Sequence, residues 1–200
     1  MPNRSSRLFG GTVCTHHAVR VNLTEIRCYI GKVGADAFGD FMRNRLQEAG
    51  IDTSAVVVDP DVKTGLTAHL VRGANRAMLT YPGSIAALGP EELHVSVLRS
   101  TRYVHVGSYF LQKGIQRGLP LIFERVREAG VTTSLDPGWD PEESWNSGLR
   151  EVLPHTNIFL PNEQELLALA RKPTLEEALE RFREDTNDRR QVRCFGSCSL

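Results

Sequence analysis

The sequence predicts an α/β fold: a mainly parallel sheet with helices on both faces, plus a small antiparallel β unit in the N-terminal half. Two observations carry this. From Pro90 onward, short β-like runs alternate with amphipathic ones: "PEELHVSVL", "YVHVG", "GLPLIFERVREAG", "VTTSLD", a helical run near Pro141 to Leu153, "TNIFL" and "NEQELLALA". Repeated β-then-α units imply parallel strands joined by right-handed crossovers. Before them, "SAVVVD", "GLTAHLVR" and "RAMLTYPG" are short, rich in β-branched residues and punctuated by Pro60, Gly65, Gly73 and Pro82. That pattern reads as an antiparallel unit.

The elements follow in order. "IRCYIG", Ile26 to Gly31, reads as a strand, and the following run places Phe38, Phe41, Met42, Leu46 and Ala49 at helical spacing before a terminating Gly50. In "GLPLIFERVREAG", Leu119, Ile122, Phe123, Val126 and Ala129 form one apolar stripe, and Pro120 is tolerated because it falls in the first turn. "PTLEEALERF" is a further amphipathic helix. The last stretch, residues 185–200, has no sustained period and is expected to be a disordered tail.

At 200 residues the chain fits one ordinary domain. A globule of that size buries roughly 70% of the surface its unfolded form exposes. The 24 basic and 24 acidic residues cancel, so the global field gives no reason to expect nucleic acid or an anionic membrane as partner. The start "MPNRSSRLFGG" lacks the apolar segment of a secretion signal, and a soluble cytoplasmic protein is expected. Cys14, Cys28, Cys194 and Cys198 are too sparse for a stapled fold and read as reduced thiols. A metal cluster built from Cys14, His16, His17 and Cys28 lacks recognisable ligand spacing.

In an open α/β sheet, ligands bind outside the carboxyl ends of the strands, so polar residues just after each strand matter most. Three places qualify: Gly107-Ser108, Asp136-Pro137-Gly138, and Asn162 with Glu163 and Glu165. Asn162 followed at the third position by Glu165 matches a helix capping box, in which the amide oxygen takes one orphan N–H and the carboxylate takes another. The same geometry puts a helix N-terminus, which favours anions, beside an acid able to hold hydrated magnesium. The two readings are compatible. Asp136 stands at the same edge, although "DPG" also makes a turn by itself.

Taken together, these residues resemble the PfkB family of carbohydrate kinases, with the ribokinase-like fold. The matching pieces are Gly10-Gly11, "IGKVGADAFGDFMRNRLQEAGIDTSAV", "TGLTAHLV" with "LTYPGSIAAL", "YVHVGSYFL", "VTTSLDPGWDP" and "IFLPNEQELLAL", covering about Leu8 to about Phe182. The resemblance implies an incomplete kinase domain over residues 1–184, a small β lid over residues 54–83, and a possible homodimer contact through that lid. It also implies ATP and Mg2+ as cofactors and a sugar hydroxyl as phosphoryl acceptor. Gly10 and Gly11 would border the sugar. Asn162 and Glu165 would organise magnesium and phosphate, with Asp136 at the phosphate edge.

The chain also departs from the family pattern. Thr15 stands where a sugar-binding asparagine is usual and His17 where a small residue is usual, and only nine residues precede Gly10. No Gly-Ala-Gly-Asp segment occurs, and in the family that segment supplies backbone donors for the phosphate and the aspartate that takes the hydroxyl proton. No residue therefore qualifies as catalytic base. The expectation is a family domain truncated at both ends and inactive alone. The alternative is a non-catalytic dimerising module derived from a sugar kinase. A Rossmann-type nucleotide binder is disfavoured because no GxGxxG follows a strand and opens a helix.

Overall fold

The structure, a computed structural model, describes residues 28–72, 75–185 and 191–192. Gly10 and Gly11 lie outside the described residues, as do Cys14, Thr15, His16, His17, Cys194 and Cys198. The chain divides into two compact units, Met1–Ala87 and Leu88–Leu200.

In the first unit, strand β1 (Gly31–Gly34) pairs in parallel with β2 (Val56–Asp59), with helix α1 (Ala37–Glu48) between them in the chain. The strand expected at Ile26 to Gly31 thus sits further along, and Cys28 contributes only an isolated bridge to Asp52. "SAVVVD" likewise differs from expectation. It joins β1 in parallel, so among the described residues antiparallel pairing is confined to β3 (Leu66–Arg72) and β4 (Asn75–Tyr81). Alternation within a run marks a strand but does not choose its partner. The short helix α2 (Gly83–Ala87) follows the hairpin.

Helix α1 is anchored by a glycine rather than by its phenylalanines. Phe38 and Phe41 remain 56% and 48% exposed, and of the expected apolar stripe only Leu46 is buried. A Cβ on Gly39 would collide with the Gly34 carbonyl oxygen and lie 3.0 Å from Thr64 Oγ1, so the close approach to β1 requires glycine at that position. Gly50, at φ 74°, ends the helix as its sequence position foretold.

Two side chains, Asp36 and Thr64, lock this corner. Asp36 caps α1 by accepting from Gly39 N at 2.9 Å, and its other oxygen accepts from Thr64 N at 2.9 Å. The Thr64 hydroxyl donates to Asp36 Oδ1 at 2.7 Å and accepts from Gly34 N at 2.9 Å. Backbone and hydroxyl donors from Thr64, followed by the Gly39 N–H, hold the Asp36 carboxyl down at about 2.

In the second unit, β5 (Tyr103–Val106), β6 (Thr132–Leu135), β7 (Ile158–Phe159) and β8 (Gln191–Val192) form an all-parallel sheet in that order. The sheet tapers: β5 and β6 pair over four residues, whereas β6–β7 and β7–β8 each pair over two. Strand β8 falls inside the stretch expected to be a disordered tail. The unpaired edge of β7 offers it backbone partners, and two residues are too few to leave a periodic signal.

Helix α4 (Leu119–Glu128) packs on β6 through Leu119, Ile122, Phe123 and Val126, all buried, while Ala129 lies beyond the stripe and is exposed. Pro120 sits in the first turn, as expected. "PEELHVSVL" forms not one helix but a 3-10 turn (Pro90–Glu92) and a separate short α3 (Val95–Arg99). Leu93, at φ -84° and ψ 86°, breaks the run. Beyond β7 come α6 (Glu163–Ala170) and α7 (Leu175–Asp185), and Phe182 of α7 meets Phe159 of β7 with ring centroids 5.7 Å apart.

The helical run expected from Pro141 to Leu153 shrinks to α5 (Leu149–Val152) and a following 3-10 turn. The buried Asp140 carboxylate is the cause. It accepts from Glu142 N, Ser144 Oγ and Trp145 N at 3.0, 3.0 and 2.8 Å, so these groups serve a loop instead of a helix.

Candidate functional site

The three polar segments expected at the sheet's carboxyl edge do stand at the ends of adjacent strands β5, β6 and β7, all within the second unit. Backbone bonds stitch the first two together. Tyr109 N donates to Asp136 O and Phe110 N to Pro137 O, both at 3.0 Å, and Asp136 N donates to Val106 O at 2.9 Å. Ser108 takes a left-handed backbone at φ 52°, and Gly138 does so at φ 62°. A Cβ on Gly138 would come within 3.0 Å of Ser108 Cα, so the two loops pack backbone to backbone.

Asp136 makes the turn that "DPG" foretold, its Oδ1 accepting from Gly138 N at 3.1 Å. Its Oδ2 also accepts from Ser108 N at 3.3 Å, so the carboxylate is held from two loops.

Asn162 and Glu165 form the capping box in full. Asn162 Oδ1 accepts from Glu165 N at 2.9 Å, and Glu165 Oε2 accepts from Asn162 N at 2.8 Å. Glu165 is only 6% exposed. Burial pushes its carboxyl up to about 7; the negative charge of Asp136 adds to the rise, and the bonds from Asn162 oppose it. Two carboxyl groups from successive strand ends therefore sense one another across the edge.

The donor set suits a hard cation. Two carboxylates and an amide oxygen match the oxygen preference of Mg2+, which binds through one or two carboxylates and keeps water or phosphate oxygens for the rest. Among the described residues no group of three or more His, Cys, Asp or Glu could hold a metal ion.

Sequence reasoning missed Thr64, Asp140 and the aromatic group around Trp145. Asp140 and Trp145 are close in sequence, but nothing in "DPGWDPEESW" distinguishes a captured carboxylate from the exposed acid of a helix. Thr64 meets Asp36 across 28 residues and left no local signal.

A parallel sheet with polar segments at its strand ends and a capped helix beside them defines an open α/β protein, the class in which ligands bind outside the carboxyl ends of the strands. The sequence profile described as pfkB family carbohydrate kinase matches residues 21–192, and the chain belongs to that family. Among curated relatives, an ATP-dependent ribose-1-phosphate kinase of Halopiger xanaduensis is 30% identical over 93% of this chain and 59% of its own length. A sugar kinase of Archaeoglobus fulgidus, itself uncharacterised, is 30% identical over 69% of this chain and 54% of its own. Among solved structures, a candidate ribokinase II from E. coli in complex with ATP and Mg2+ is 26% identical, with a TM-score of 0.69 over 82% of this chain and 55% of that one. The fold is ribokinase-like. The chain spans about half the length of the curated relatives it matches. Among the described residues, no helix is long and apolar enough to cross a membrane.

Proposed function

We propose that this chain carries the magnesium–phosphate edge of an ATP-dependent sugar kinase and does not transfer phosphate by itself. The observation that carries this is the buried Glu165 in its capping box, electrostatically coupled to Asp136 at the neighbouring strand end. Mg2+, when bound, would neutralise phosphate charge and orient its oxygens. Glu165 and Asp136 would supply the negative charge that attracts the ion, while Asn162 keeps the helix terminus formed and the carboxylate aimed. The acceptor would be a sugar hydroxyl, in keeping with the kinases among the relatives.

The 200 residues contain no Gly-Ala-Gly-Asp segment, and no acid among the described residues is assigned to take the hydroxyl proton. Positioning and charge stabilisation supply most of the catalysis in phosphoryl transfer, so a chain lacking that segment should bind without turnover. Incubation of the purified chain with ATP, Mg2+ and a panel of sugars should give no phosphorylated product, and sugar-dependent turnover would refute the inactivity. Mg2+ should raise the melting temperature of the native chain but not of Asp136→Asn. Equal shifts would remove the cation site.

A second reading rests on the β3–β4 hairpin. Leu66, Leu70, Leu79 and Tyr81 share one face by register and are 40%, 55%, 62% and 55% exposed. A contiguous apolar face of this kind marks an interaction surface. A homodimer through the hairpin would cover it, whereas a well-behaved monomer of 22.3 kDa in sedimentation would count against that reading.

A further inference from the structure

Asp140 is fully buried, yet it faces no group assigned above to the phosphate edge. Its Oδ1 accepts from Glu142 N at 3.0 Å, and its Oδ2 accepts from Ser144 Oγ at 3.0 Å and Trp145 N at 2.8 Å. A buried carboxylate is tolerated only when its oxygens are satisfied in this way. Lys113, ion-paired with Glu142 at 3.0 Å, adds favourable charge nearby.

The segment that these bonds hold is strained. Glu143 and Trp145 take left-handed backbones at φ 50° and 54°, between Gly138 at 62° and Gly148 at 72°. For a residue as bulky as tryptophan this is an outlier that the surroundings must impose. The Trp145 N–H that Asp140 captures belongs to that residue.

From Trp145 the contacts run back to the sheet edge. Its ring meets Trp139 edge-on at 4.9 Å and Phe110 at 5.4 Å. Phe110 N is bonded to Pro137 O, Tyr109 N to Asp136 O, and Ser108 N to the Asp136 carboxylate. Tyr109 closes the circuit by donating its hydroxyl to Ser147 O at 2.7 Å.

We infer that Asp140 is a positioning residue: by clamping Trp145 in its left-handed turn it fixes the aromatic contacts that set the Ser108–Asp136 edge. Its consequence for cation binding rests on the role proposed for Asp136, but the structural coupling does not. In Asp140→Asn the shape is kept, but a single carbonyl oxygen cannot serve donors on both sides, and the new NH2 group confronts an N–H.

The test is amide hydrogen exchange on the intact chain. The Ser108 and Gly138 amides, which donate to the Asp136 carboxylate, report directly. Asp140→Asn should lower their protection roughly tenfold or more, while the Asn157 amide, bonded to Thr133 O, keeps its own. Trp139 and Trp145 are the two tryptophans of the sequence, so loss of their coupled near-ultraviolet dichroism confirms that the loop has let go. Mn2+ affinity, read by titration, should fall in parallel. Ser144→Ala removes one donor but leaves the Trp145 bond, and should show a smaller loss at the same two amides; it decides the matter if Asp140→Asn does not fold. Exchange as in the native chain at Ser108 and Gly138 in a folded variant overturns the inference. Weakened exchange protection in a chain that binds no Mn2+ at all would support the coupling and sink the cation reading instead.

Discussion

At Glu165 the environment works against the charge that the residue would carry in water. Its folded-state carboxyl stands near 7, against an ordinary value of 4.5, chiefly because it is buried. Between those two values the native state holds a proton that the unfolded chain has released, so stability falls as pH rises from about 4.5 to about 7. Glu165→Gln keeps the capping acceptor and removes the titration; urea midpoints of the variant should lack that decline, and identical profiles would show that Glu165 does not titrate there. Asp36 has the opposite sign. Its carboxyl is depressed from 3.8 to about 2, so its contribution is complete above about 4 and is lost as pH falls through 2. Thr64→Ala strips that carboxylate of a hydroxyl donor and leaves Gly34 N without its side-chain acceptor. It should cost about 1–3 kcal/mol in equilibrium unfolding. The box at Asn162 was legible because its partners are three residues apart. The Asp36–Thr64 pair was not, because only folding brings its halves together.

Among the elements, α6 has its start written most plainly in its own sequence. Asn162→Ala should destabilise the protein by about 1 kcal/mol through the lost cap. It should also loosen the Glu165 carboxylate, which a thermal melt and a Mg2+ titration of the same variant would register together. Helix α4 was equally readable, because its apolar stripe and its buried face coincide from Leu119 to Val126. Helix α1 was readable in extent but not in orientation: periodicity found Phe38 and Phe41, whereas contact with β1 runs through Gly39, the residue with no side chain to notice. The segment from Pro141 misled for a different reason. Its composition suits a helix, but Asp140 removes the backbone and side-chain donors that would have begun one, and tertiary capture overrides propensity.

For the whole molecule, the alternation of strands and helices after Pro90 was enough to read a parallel sheet, since such units have few other ways to bury their apolar faces. The pairing of β2 with β1 and the existence of β8 were beyond reach, because both are set by which edge is free rather than by any run of residues. The narrowing of the second sheet, from four paired residues at β5–β6 to two at each later junction, has a mechanical consequence. A sheet pinned firmly along one side and lightly along the other should open like a book from its fore-edge. Native-state labelling under mild denaturant should release Phe159 well before Val106, while the spine between β5 and β6 stays shut until the unit comes apart as a whole.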